Sequence, residues 1–262
     1  MTVFLHELRI NRLALIVWCA VISFMLGVCV MIYPEMASQM TEMTDMFAEM
    51  GAFTSAFGMD QINFGEFTGY FVVECGNTLG LGGSIFAAII GVSALAKEER
   101  DKTAEFLLAH PITRRRVITE KLLAVLAQIL ILNLSVMIVT LLAMAVIGEF
   151  AALGTFMLMF LAYLLMQLEI AAITFGISAF VKRGALGIGI GVAFLSYFLN
   201  ILSNITEDAK ILKFITPFGY TDGSGIVTDN TIAFKYLLTG IVIATVSIFL
   251  AYYKYERKDI LV

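Results

Sequence analysis

Apolar positions in this chain come in long unbroken runs, not in the alternation of strands or the stripes of half-buried helices. The first extends from Leu13 to Tyr33. Five more follow at Thr68–Ala96, Leu122–Ile147, Gly154–Val181, Ala185–Ser203 and Ala233–Tyr253. About 20 residues of helix, rising 1.5 Å each, cross a hydrocarbon layer of about 30 Å, and every run meets that length. Lipid offers backbone N–H and C=O groups no partner, so such runs are predicted to be helices. Barrel strands would appear as short alternating segments. The expected fold is all-α: a polytopic membrane protein with six transmembrane helices. The first run exceeds the core of a signal peptide, and no small-x-small cleavage site ends it, so it is read as a retained span.

Charge adds an orientation. Of the 17 lysines and arginines, all but Lys210, Lys213 and Lys235 fall at the N-terminus, in the loop after the second span, in the turn after the fourth, or in the C-terminal tail. Basic loops stay in the cytoplasm. The expectation is a multi-pass protein of the cytoplasmic (plasma) membrane with both termini inside. Composition agrees, with 60% hydrophobic residues, 15% charged residues and a mean hydropathy of +0.92. Soluble domains carry about 25% charged residues. Cys19, Cys29 and Cys75 lie within apolar runs, without zinc-ligand spacing, and read as packing residues. No internal repeat or linker divides the chain, so residues 1–262 are expected to form a single transmembrane domain.

The segments outside the spans carry the functional signal. Lys97–Lys121 reads KEERDKTAEFLLAHPITRRRVITEK. Its basic residues explain topology. Glu98, Glu99, Asp101 and Glu105 do not, and anionic lipid would repel them. A short helix of mixed charge ending in Phe106, Leu107 and Leu108 suits docking on a soluble protein. Pro111 stops that helix, and Thr113 is placed to cap the next. Met1–Arg12 is expected to form an in-plane amphipathic helix, with Phe4, Leu5 and Leu8 toward lipid and His6, Glu7, Arg9 and Arg12 toward water. Beyond the first span, Met36, Met40, Met43, Phe47 and Met50 make an apolar stripe opposite Glu35, Glu42, Asp45 and Glu49. It reads as adaptable packing surface. In the segment 204–232, a short helix around Asp208–Ile215 followed by turns is expected.

Polar residues within the spans are few: Glu74, Asn77, Gln128, Asn133, Gln167, Glu169 and Asn200. A carboxylate at mid-membrane costs about 2.5–3.5 kcal/mol, so these side chains are expected to face protein or a hydrated cavity. Glu74, Asn77, Glu169 and Asn200 are the candidate substrate path. Gly76xxxGly80 and Gly187xxxGly191 permit close helix approach, and Gly76–Gly83 is where a span is open to interruption. The sequence has no G-x-x-x-x-G-K-[ST] phosphate loop and no H-E-x-x-H motif. No enzymatic activity and no bound cofactor or metal are therefore expected of this chain itself.

The stretch EERDKTAEFLLAHPITRRRVITEKLL (Glu98–Leu123) resembles the first cytoplasmic loop of ABC type-2 exporter permeases. There an acidic-basic helix ending in leucines precedes a proline and a basic restart into the third span. The likeness extends to the in-plane N-terminal helix, the six spans, the structured external segment before the last span and the tail YKYERKDILV. The long methionine-rich external loop departs from the pattern. The resemblance implies the permease subunit of an ATP-driven exporter, working as a dimer of permeases with separate ABC ATPase subunits that hold ATP and magnesium. It makes Lys97–Leu108 the coupling helix, with Glu98, Glu99, Arg100, Lys102, Thr103, Glu105, Phe106, Leu107 and Leu108 at the ATPase. Substrate would pass along a dimer interface lined by the first, second and fifth spans, and no nucleic acid is involved. The alternative is a stand-alone secondary transporter or channel using Glu74 and Glu169 as a proton or cation path. A membrane scaffold without transport is a third reading.

Overall fold

Six helices are long and apolar enough to cross a membrane, and they fall on the predicted runs. The computed structural model describes residues 2–49, 54, 56, 63, 65–97, 112–150, 153–181 and 185–257, and no strand occurs among them. The first span belongs to α1 (Thr2–Glu49), which contains Pro34. The second joins α2 (Phe67–Cys75), a π-helical stretch (Gly76–Gly82) and α3 (Gly83–Ser93). The third to sixth spans are α4 (Arg114–Ile147), α5 (Leu153–Ser178), α6 (Ala185–Ile205) and α8 (Phe234–Arg257). Between the last two lie 3₁₀ turns at Glu207–Phe214 and Pro217–Tyr220 and a short α7 (Gly223–Asp229).

The 48 residues of α1 make a rod of about 72 Å, more than twice the hydrocarbon thickness. Nothing between Arg12 and Leu13 breaks it. The N-terminal segment is helical as expected, but it forms the first turns of the spanning helix and not an element of its own. At the far end the rod continues through the methionine-bearing stretch, so that stretch is helical to Glu49.

The second and fourth spans form the centre. In each, 61% of the most apolar stretch is buried, against 17% and 11% in the fifth and sixth. α1 lies along α4, α6 packs on α3, and α8 packs on α5. Small residues allow the central contact: a Cβ on Gly91 of α3 would stand 2.7 Å from the Ala171 carbonyl oxygen of α5. Gly189 of α6 approaches Ala88 of α3 in the same way. Gly187 and Gly191, the expected pair on α6, meet nothing within 4 Å. The close approach on α6 thus uses the glycine between them, because α6 turns its face with Gly189 and Ala193 inward.

The glycine-rich interruption of the second span is real. A π-helix widens the turn and is tolerated in short pieces, often at functional sites. Here Gly76 and Gly80 face Tyr163 of α5, whose hydroxyl would stand 3.0 Å from a Cβ at Gly76 and whose ring edge 3.0 Å from one at Gly80. Gln167, one turn along α5, fills the space beside Gly83. Its amide donates to the Leu79 carbonyl (3.3 Å) and accepts from Asn133 Nδ2 of α4 (2.7 Å). One buried polar chain thereby ties the second, third and fourth spans.

The segment before the last span turns back into the bundle. Thr216 Oγ1 donates to the Ser196 carbonyl of α6 (2.7 Å), and Thr216 through Thr221 are buried. The helical turn expected around Asp208–Ile215 is present as 3₁₀ helix, while the following turns are core and not surface.

Candidate functional site

Charged side chains converge where the Lys97–Lys121 loop meets the bundle. The loop residues Glu98, Glu99, Arg100, Lys102, Thr103, Glu105, Phe106, Leu107 and Leu108 lie outside the described residues. Its two ends are described. Lys97 follows α3, and Thr113 caps α4 as the sequence predicts, its hydroxyl accepting from Arg116 N at 3.3 Å.

Glu7 of α1 holds both ends. One carboxylate oxygen accepts from Lys97 Nζ, and the other from Lys121 Nζ at 2.9 Å. Lys121 is 1% exposed and also donates to the Ala94 carbonyl just past α3 (2.7 Å). The adjacent Glu120 accepts from the backbone N–H groups of Val3 (2.9 Å) and Phe4 (3.2 Å) and from Arg116 Nε (2.9 Å). Unpaired N–H groups at a helix start carry partial positive charge, so a carboxylate there serves as a cap. On the other flank of α4, Arg114 Nη1 donates to the carbonyls of Tyr255 and Glu256 (3.4 Å each) at the end of α8. Thr119 and Tyr252 share a hydrogen bond of 2.8 Å. The first two turns of α4 therefore gather the start of α1, the end of α3 and the end of α8.

Sequence reasoning assigned Glu7 to the water-facing side of an amphipathic segment. The structure corrects this: Glu7 is 5% exposed, whereas His6 and Arg9 are exposed and Leu5 is 58% exposed. The signal was available. Val3, Glu7 and Leu15 fall at multiples of four on the inward stripe that continues through Ile22, Leu26 and Val30. A small cavity of about 90 Å³ adjoins the cluster, lined by Asn11, Ser93 and Gln128 among others. The Gln128 side-chain oxygen is buried there without a hydrogen-bond partner among the described residues.

The candidate path residues separate. Glu74 is half-buried against α1, where the Cys29 thiol lies 3.5 Å from its carboxylate. Asn77 is exposed and Asn200 half-buried. Glu169 is buried on the opposite partner: Tyr220 donates to it at 2.8 Å, and Gly240 of α8 leaves room for its carboxylate. It borders a largely apolar cavity of about 210 Å³ between α4, α5 and α8, which Tyr220 and Thr245 also line. Glu74 and Glu169 share no hydrogen-bond partner among the described residues.

Outside the spans, Asp222 bonds Lys213 Nζ at 2.9 Å and accepts from Ser224 at 2.8 Å. Burial alone would raise the Asp222 carboxyl. The Lys213 ammonium and the hydrogen bonds from Lys213 and Ser224 outweigh burial and hold it below the usual 3.8.

Residues 1–260 match a family model described as ABC-2 family transporter protein. No curated protein matches the chain in sequence.

Proposed function

Since the chain belongs to the ABC-2 transporter family, we propose that it is the permease subunit of an ATP-driven exporter in the cytoplasmic membrane. Two copies pair, and separate ABC ATPase subunits bind on the side that carries both termini. The observation that carries the reading is the family match over residues 1–260. Lys97–Leu108 docks on the ATPase, with Glu98, Glu99, Arg100, Lys102, Thr103, Glu105, Phe106, Leu107 and Leu108 as the contact set. ATP and magnesium stay on the partner. Support for this placement comes from the ends of the loop, both of which are paired with the buried Glu7 carboxylate of α1, Lys121 also bonding the Ala94 carbonyl just past α3. A load applied to the loop would reach the bundle and not be lost in a slack connection.

The ATP-driven movement alters the permease interface, along which the first, second and fifth spans line the passage. Glu74, Asn77 and Asn200 lie on the second and fifth spans. Glu169 faces the sixth span and the buried Tyr220, a position suited to fixing the outer segment. A proton relay from Glu74 to Glu169 gains no support from their separate partners.

The test is co-purification. The chain is expressed with an ABC ATPase subunit from the same cell, as wild type and with Glu99→Arg plus Leu107→Asp. The expected result is a stable complex for wild type and its loss for the double variant. Failure of every ATPase to bind would remove the reading.

A further inference from the structure

The charged cluster at the loop ends has a geometry that topology alone does not demand. Basic residues that only fix orientation lie in water or among headgroups. Lys121 instead is 1% exposed, and it bonds Glu7 and the carbonyl of Ala94. Lys97 and Lys121 are the first and last residues of the loop, and a single carboxylate holds both. That carboxylate comes from α1, which is bonded a second time through Glu120 to the backbone of Val3 and Phe4. The two oxygens of Glu7 are thus divided between the two stems. Buried charge pairs are costly to form, and in some proteins they serve to fix one arrangement. A shorter acid or a neutral amide cannot hold both ammonium groups.

We propose that Glu7 is a positioning residue for the ATPase: it clamps both stems of the Lys97–Lys121 loop to the N-terminal helix, so that the two stems and the helix move together. The inference rests on the docking role given to the loop above, and it adds α1 to the elements that the ATPase moves. Docking on a loop with fixed stems also loses less conformational freedom than docking on a free one.

Two measurements on the full chain in lipid nanodiscs test it. The first is hydrogen–deuterium exchange across the loop without any ATPase. Glu7→Gln is expected to speed exchange in the segment 97–121 about tenfold or more, with exchange in α5 unchanged. Glu7→Asp, which keeps the charge but shortens the reach, should give an intermediate increase, and Glu35→Gln on the exposed far part of α1 should give none. Unchanged loop exchange in Glu7→Gln overturns the clamp, whatever the ATPase does.

The second is ATPase affinity. Glu7→Gln is expected to weaken binding about tenfold while Glu35→Gln leaves it as in wild type. Loosened exchange with undiminished affinity overturns the positioning role. If no ATPase binds the wild-type chain, the docking reading fails, and with it the positioning role, while the exchange experiment still decides the clamp. Should Glu7→Gln not fold, Lys97→Met frees one stem and leaves the Glu7–Lys121 pair intact. It must then loosen the loop at its first residues for the clamp to stand.

Discussion

Lys121 shows how one side chain can serve topology and architecture together. Its charge counts toward orientation, yet its ammonium is buried between Glu7 and Ala94. Removing one partner of an isolated buried pair costs about 3–5 kcal/mol; without Lys121, Glu7 still faces Lys97, so the loss here falls short of that. Lys121→Ala is still expected to lower the thermal midpoint of the detergent-solubilised chain markedly, and Lys254→Ala on the exposed end of α8 to leave it nearly unchanged. Scanning fluorimetry of the two variants checks this. Asp222 gives a pH-dependent counterpart. Its carboxyl sits below 3.8 in the folded chain, so its contribution is complete above pH ~4 and is lost as pH falls through the depressed value. The gap in thermal midpoint between wild type and Asp222→Asn should be steady above that pH and close below it. A gap that instead grew on acidification would contradict the Lys213–Asp222 assignment. At this scale the sequence is hardest to read. Glu7 looks solvent-seeking because its two lysine partners are 90 and 114 residues away, and pairing at that separation leaves no local pattern.

At the scale of elements, run length decided most of the outcome, since a segment in lipid has to satisfy its own backbone. The third span ends as predicted at Ile147, where Gly148 takes a left-handed conformation (φ 78°) and its N–H bonds Met144 O at 2.9 Å. The π-helix was foreshadowed by the glycine cluster, because Gly76, Gly80 and Gly83 are where α5 places Tyr163 and Gln167. The buried turn Thr216–Thr221 was not legible. Its threonines, glycine and proline have the composition of an exposed loop, and only its partners on α5 and α6 make it core. Glycine substitutions separate contact from composition. Gly91→Ala should destabilise by about 1–3 kcal/mol through overpacking, because its Cβ would meet the Ala171 backbone. Gly187→Ala, with open space around it, should be neutral or raise stability by up to about 1 kcal/mol through helix propensity. Equal losses at both positions would show that the packing of α3 on α5 is wrongly described.

For the whole molecule, the basic ends of α1, α3, α4 and α8 meet at one end of the bundle. The segment between α6 and α8 is bonded to Glu169 through Tyr220. Cysteines introduced at Arg115 and Asn230 should be labelled by a membrane-impermeant maleimide from opposite faces, with Arg115 accessible only after the cytoplasmic side is opened. As proposed, this chain docks a separate ATPase through the loop whose stems Glu7 holds. The most direct test is the dissociation constant between the purified chain in nanodiscs and an ABC ATPase subunit that co-purifies with it. Glu99→Arg with Leu107→Asp is expected to raise this constant about a hundredfold or more while the thermal midpoint of the chain holds. An unchanged constant would contradict it.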